Sequence, residues 1–325
     1  MEQFVVLSKA HARFCRIIRA ENPVAPSQVG ADVEIRDDLA PGTAVAQKLC
    51  CTALPRSGGD CRSWLLSRRN NYRLAEGLEL NRKANRNQIY AYDLFIWNKR
   101  YEAWARGKEV EGLFTIGGSF LPEFLRRTQN WRDYIVIHEE DLRHARWEHG
   151  PIEFLFIDAM KSPEVATAIA SNFFLHLVPA KSYVAHQDFP HCFAPWIHFL
   201  TFRLRDYFRF VADLPQSSLF RLEREIEPQA LVRDLSPAAV SPAEIEAAFD
   251  YSISLVGDDK KANVTAAKAL AYVERGEFTR AHQIVTQSRY GPVSRADEFK
   301  TVKALIERKL AEPEPMNYDL PAPVN

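Results

Sequence analysis

"PIEFLFIDAMKS", Pro151 to Ser162, is an apolar run that ends in an aspartate, Asp158, with a lysine, Lys161, three residues further on. A run apolar on both alternations describes a strand buried on both faces, the mark of a parallel sheet covered by helices. The next stretch, "SPEVATAIASNFFLHL", opens with Ser-Pro, has a glutamate in its first turn and spaces its apolar residues as a helix does. "KSYVAHQDF" (Lys181 to Phe189) supplies the following strand. The three pieces make a β-α-β unit.

Outward from this unit, "QIYAYDLF" (Gln88 to Phe95) and "DYIVIHE" (Asp133 to Glu139) read as earlier strands, and "SSLFRLERE" (Ser217 to Glu225) as a closing one. "APWIHFLTFRLRDYFRFVADL" reads as one long amphipathic helix burying Trp196, Phe199, Leu200, Leu204, Tyr207 and Phe208. The alternation predicts an α/β fold, a Rossmann-like, mostly parallel sheet with helices on both faces. Further on, "AAKALAYVERGEFTRAHQIV" resembles a tetratricopeptide-type helix pair with Gly276 at its turn, and "ADEFKTVKALIERKLAE" is a further helix. One pair is too little for a repeat array, so it reads as a C-terminal helical appendage for docking a protein partner or a second copy. The expected divisions are an N-terminal segment 1–40, the α/β domain 41–230, a linker 231–255, the helical hairpin 256–311 and a disordered tail 312–325.

Composition narrows the function. The 42 Lys and Arg residues balance the 42 Asp and Glu residues, so net charge gives no reason to expect nucleic acid or an anionic membrane as partner. No window of about 18 uncharged apolar residues occurs and the first residues lack a signal-peptide pattern, which makes a cytoplasmic location the expectation. The five cysteines are odd in number and form no C-x-x-C pair, against a disulfide framework or zinc knuckle. A G-x-S-x-G elbow and a P-loop are both absent.

In open parallel sheets ligands bind at the carboxyl ends of the strands. Asp93, Asp158 and Asp188 each end a proposed strand, and Asp141 lies just past a fourth. Any one of them alone reads equally well as a helix cap. Asp93 suits hydrogen bonds from ribose hydroxyls, and Asp141 faces an adenine amino group or begins a helix. Asp158 and Asp188 converge to hold a divalent cation such as Mg2+ through oxygen. Lys161, one helical turn beyond Asp158, is placed to take a proton from a hydroxyl once its pKa is lowered. His186, His191 and His198 are spaced too irregularly for a metal site, and the aromatic segment around them reads as the lining of an acceptor pocket.

The order of Asp93, "EEDL", "FIDAMK", a helix and "HLVPAKSYVAHQD" resembles the second half of the class I S-adenosylmethionine-dependent methyltransferase fold, over about Asn81 to Glu225. "FIDAMK" is similar to a segment of metal-dependent O-methyltransferases of the catechol and caffeoyl-coenzyme A type, and of the macrocin group that modifies sugars. The resemblance implies that Asp158 and Asp188 are metal ligands, that Lys161 is the base, that S-adenosylmethionine is the cofactor, and that a sugar or small natural product accepts the methyl group. It also shows departures. The usual Pro-Gly-Gly before the fifth strand is Pro179-Ala180-Lys181, and the usual second acid or amide after Asp188 is Phe189.

A further departure is the glycine loop expected about 20 residues before Asp93, where bare backbone would let the cofactor approach a helix. "DCRSWLLSRRNNYR" stands there instead, followed by "LAEGLELN" (Leu74 to Asn81), which suits the helix after such a loop. Allowed codons for Gly59 to Arg73, read one base later, give an apolar strand and a glycine turn, and Trp64 followed by any leucine codon must yield glycine in that frame. The segment 59–73 therefore reads as out of frame. Two alternatives to an active methyltransferase stay open: an impaired, methyltransferase-like binding or scaffold protein, and a dinucleotide-dependent oxidoreductase.

Overall fold

Strands β1 (Gln3–Ser8), β2 (Gln88–Asp93), β3 (Ile135–Glu139), β4 (Phe154–Asp158), β5 (Tyr183–His186), β6 (Phe208–Leu214) and β7 (Ser217–Leu222) form one sheet in the order β3-β2-β1-β4-β5-β7-β6. The structure, a computed structural model, describes residues 3–8, 88–214, 217–290 and 296–311. β1 to β5 are parallel, and β7 runs antiparallel to both β5 and β6. The Rossmann-like α/β class read from the sequence is the class observed.

The central strand comes from within the 1–40 segment that the sequence reading set outside the α/β domain. β1 pairs with β2 on one side and β4 on the other, with Ser8 beside Asp158. The segment 59–73, Leu74 to Asn81 and the tail 312–325 lie outside the described residues.

Strand pleat divides the apolar side chains between two layers. Ile89, Ala91, Phe156 and Ala185 face one side, where α1 (Lys99–Ala105) and α2 (Leu121–Thr128) contribute Tyr101 and Phe124. Tyr90, Tyr92, Leu155, Ile157 and Val184 face the other, against α3 (Pro163–Phe173) and α4 (Pro195–Arg203). α3 starts where Ser162 Oγ accepts the Val165 N–H and Pro163 presets the first turn, and it buries Ala166, Ile169, Ala170 and Phe173. Removing a fully buried aromatic such as Phe173 would cost about 3–5 kcal/mol.

The long helix expected from Ala194 ends at Arg203, and Phe208–Leu214 is instead strand β6. Pairing with β7 satisfies its backbone, and Phe210 packs edge-on to Phe220 with ring centroids 5.6 Å apart. Tertiary pairing here overrides a helical pattern that Tyr207 and Phe208 fit by chance.

The stretch read as a linker, 231–255, carries α6 (Pro242–Leu255), after the short α5 (Pro228–Leu231). Ser241 caps α6 by accepting the Glu244 N–H, and Ile245, Ala248 and Phe249 are buried. α7 (Asp258–Glu274) and α8 (Phe278–Thr286) form the expected pair around Gly276, whose φ of 76° suits glycine, and α9 (Ala296–Ala311) completes the bundle. One continuous apolar cluster runs from the sheet into these helices. Lys260 Nζ, 2.5 Å from Asp213 Oδ1, pins α7 to β6.

Candidate active site

The register brings the acidic strand ends to one edge. Asp93 pairs across to Glu139, Ser8 to Asp158, and Ile157 to His186, two residues before Asp188. The strand order reverses between β1 and β4, so Asp93 and Asp158 flank the switch point where such sheets bind ligands.

Asp93 is buried, and its Oδ1 accepts the Phe95 N–H at 2.7 Å. Asp141 does not begin a helix: it opens a turn, accepting the Arg143 N–H at 2.9 Å and closing on the Arg143 guanidinium. The Arg143 hydrogen bonds pull its pKa down to about 2.

Asp158 is wholly buried. Burial pushes its carboxyl well above the ordinary range, Lys161 draws it back, and the charge of Asp188 adds to the rise. Lys161 is not a helical turn away: it sits in the loop before α3, where its N–H donates to Ala159 O at 2.7 Å. The loop is fixed from the other side by Trp196 Nε1, which donates to Met160 O at 2.7 Å. Lys161 Nζ is 2.9 Å from Asp158 Oδ1 and also donates to Asp188 Oδ2. Burial alone would lower the lysine pKa, but the two carboxylates together raise it. The expected lowering is therefore reversed, and Lys161 stands as an ammonium. What stands against Mg2+ between Asp158 and Asp188 is occupancy: both carboxylates already hold this ammonium.

The histidines separate. His186 and His198 are buried, and burial lowers their pKa values to about 4 and about 3, so both stay neutral. His191 instead joins Cys192 and Glu298 in a cluster whose donor atoms lie within 4.8 Å of one another, a grouping that spacing in the sequence could not reveal because Glu298 comes from α9. The Phe193 N–H donates to His191 Nδ1 at 3.2 Å, and His191 Nε2 faces Glu298 3.9 Å away. Asn263 Nδ2 holds the other Glu298 oxygen at 3.0 Å. The hydrogen bond that crosses from the loop after β5 to the bundle is that of the Cys192 thiol, which donates to Glu298. Phe189, in the segment read as pocket lining, is a core residue, and Trp196 is buried as its helical spacing predicts.

No protein-family model matches the sequence, and no curated protein does. Among solved structures the chain is similar to the O-methyltransferase NovP, with a TM-score of 0.35 and 11% identity, over 46% of this chain and 66% of that one. It is also similar to the 23S rRNA methyltransferase ErmE, with a TM-score of 0.28 and 13% identity, over 83% of this chain and 99% of that one. The fold assignment rests on the strand order itself.

Proposed function

We propose that this chain is an S-adenosylmethionine-dependent methyltransferase that methylates a hydroxyl oxygen on a sugar or other small hydroxylated molecule. The observation that carries the reading is the Asp158, Lys161 and Asp188 group at the switch point, with Asp93 across the β1 strand from it.

Asp93 would receive the ribose hydroxyls at the end of β2. Asp141, closed on Arg143, shapes the turn after β3. Bound beside Asp93, S-adenosylmethionine would supply an electrophilic methyl group, its S–CH3 bond breaking as S-adenosylhomocysteine leaves. What the protein adds is position: the acceptor hydroxyl is held beside the buried carboxylate pair, and its proton goes to one of those carboxylates as the oxygen–carbon bond forms. Lys161, as an ammonium, donates hydrogen bonds and is not the base.

Isothermal titration with S-adenosylhomocysteine tests the reading. A dissociation constant on the order of micromolar, weakened by Asp93→Ala, is the expected result. Absence of binding by a chain shown to be folded by circular dichroism would favour the second reading, a methyltransferase-like binding protein. Two observations favour that alternative. No glycine follows β1 before Gly30, and the helical bundle carries an open cleft of about 610 Å³, lined by Lys261, Lys268, Arg280, Arg289 and Asp250, where a partner could dock. The oxidoreductase reading shares the missing glycines and does not account for the reversed β7 in place of an all-parallel order.

A further inference from the structure

We propose that the Lys161 ammonium is a built-in cation, occupying the place between the Asp158 and Asp188 carboxylates that a divalent ion would otherwise take, so that the site works without metal. The proposal rests on the methyl-transfer reading for what the cation does, but not for which cation is there.

The geometry carries it. A single atom, Nζ, touches carboxylates delivered by two different strands, one 2.9 Å away on Asp158 and the other on Asp188. Lys161 is no mobile surface group: its backbone is tied to Ala159, its neighbour Met160 to Trp196, and its side chain is only 17% exposed. Two carboxylates with water completing the shell would suffice for a divalent ion of the Mg2+ kind, but here the point on which they converge is already filled by the ammonium. An ammonium has three N–H donors. Two are spent on the carboxylates, and the third is left to hold the acceptor oxygen as its proton departs. The charge balance at the reacting oxygen is then supplied by the chain itself.

The test is metal binding, read by Mn2+ electron paramagnetic resonance and by melting with and without Mn2+, neither of which requires cofactor or turnover. The wild-type chain should bind no Mn2+ at up to about 1 mM and its melting should not respond. Lys161→Ala, which leaves the two carboxylates facing an empty space, should gain one Mn2+ at least about tenfold more tightly, with a rise in melting temperature, and Asp188→Asn on that background should abolish it. Lys161→Arg, keeping the positive charge, should stay silent. Stoichiometric Mn2+ binding by the wild type that is lost in Asp188→Asn would overturn the proposal. So would a folded Lys161→Ala that gains no ion. Should Lys161→Ala fail to fold, Lys161→Met, which keeps the bulk of the stem, carries the same expectation. A chain that passes this test yet binds no S-adenosylhomocysteine would keep its built-in cation and lose the methyltransferase assignment.

Discussion

The backbone N–H of Phe95 donates to Asp93 Oδ1 at 2.7 Å, and Phe95 itself stands at φ 52° with its ring fully buried. The carboxylate proposed for the ribose thus also holds a non-glycine residue in the left-handed region, where strain is about 1–2 kcal/mol. Two roles for one side chain can be pulled apart. Asp93→Asn keeps the acceptor oxygen and should leave the melting temperature nearly unchanged while weakening S-adenosylhomocysteine binding about tenfold. Asp93→Ala should lose both affinity and about 1–2 kcal/mol of stability. Equal affinity in the Asp93→Asn and wild-type chains, by titration, would remove the ribose role.

On the proposed function, Lys161→Ala should cut turnover about a hundredfold or more while S-adenosylhomocysteine affinity stays within about threefold, because Lys161 touches Asp158 and Asp188 and not Asp93, the carboxylate proposed for the ribose. Lys161→Arg should recover part of the rate. Comparable losses of rate and affinity in single-turnover and titration measurements would show that the lysine shapes the whole site.

Ala180, in the turn before β5, has φ 60° and donates its N–H to Leu222 O at 2.7 Å. The backbone here takes up a glycine-like conformation without a glycine. Ala180→Gly should therefore raise stability by about 0.5 kcal/mol, strain relief outweighing the extra freedom of the unfolded chain, and Ala180→Val should lower it. Thermal melting distinguishes the three chains.

Glu274, at the end of α7, has its pKa raised to about 7 by burial, with the charge of Glu164 adding to the rise. A carboxyl that ionises near 4.5 when unfolded and near 7 when folded favours the fold fully below about pH 4.5, and this contribution is lost as pH rises to about 7. The loss, discounted for partial exposure, is about 1–2 kcal/mol. Glu274→Gln should flatten that part of the stability profile between about pH 5 and 8, as followed by urea unfolding. An unchanged slope would place the ionisation elsewhere.

Much of the sheet was legible because strands buried on both faces read as apolar runs closed by acids, as in "IYAYD" and "FLFID". Three features were not. β1 lies alone at the start of the sequence, far from the β-α-β pattern that would mark it. β6 overlaps a helical spacing, although Phe208, Phe210 and Ala212 also alternate as a half-buried strand should. α6 hid behind prolines, yet Ser241-Pro242 with Glu244 was a readable start signal. At the site, sequence could bring Asp93, Asp158, Asp188 and Lys161 to one edge. It could not tell that Lys161 would turn back from its loop onto both carboxylates, since that depends on the Trp196 contact from α4.

The position of β1 has a kinetic side. Phe4 pairs with Ile89 and with Phe154, partners some 85 and 150 positions downstream, so the two halves of the sheet can join only through long-range contacts. Loop closure of that span must be completed before those contacts contribute, which makes slow folding the expectation. Until it happens β2 and β4 have no common neighbour, and Asp93 and the Asp158 group exist on separate ribbons. The site would thus be among the last parts of the molecule to assemble, with the seam between its halves closed by the six residues of β1.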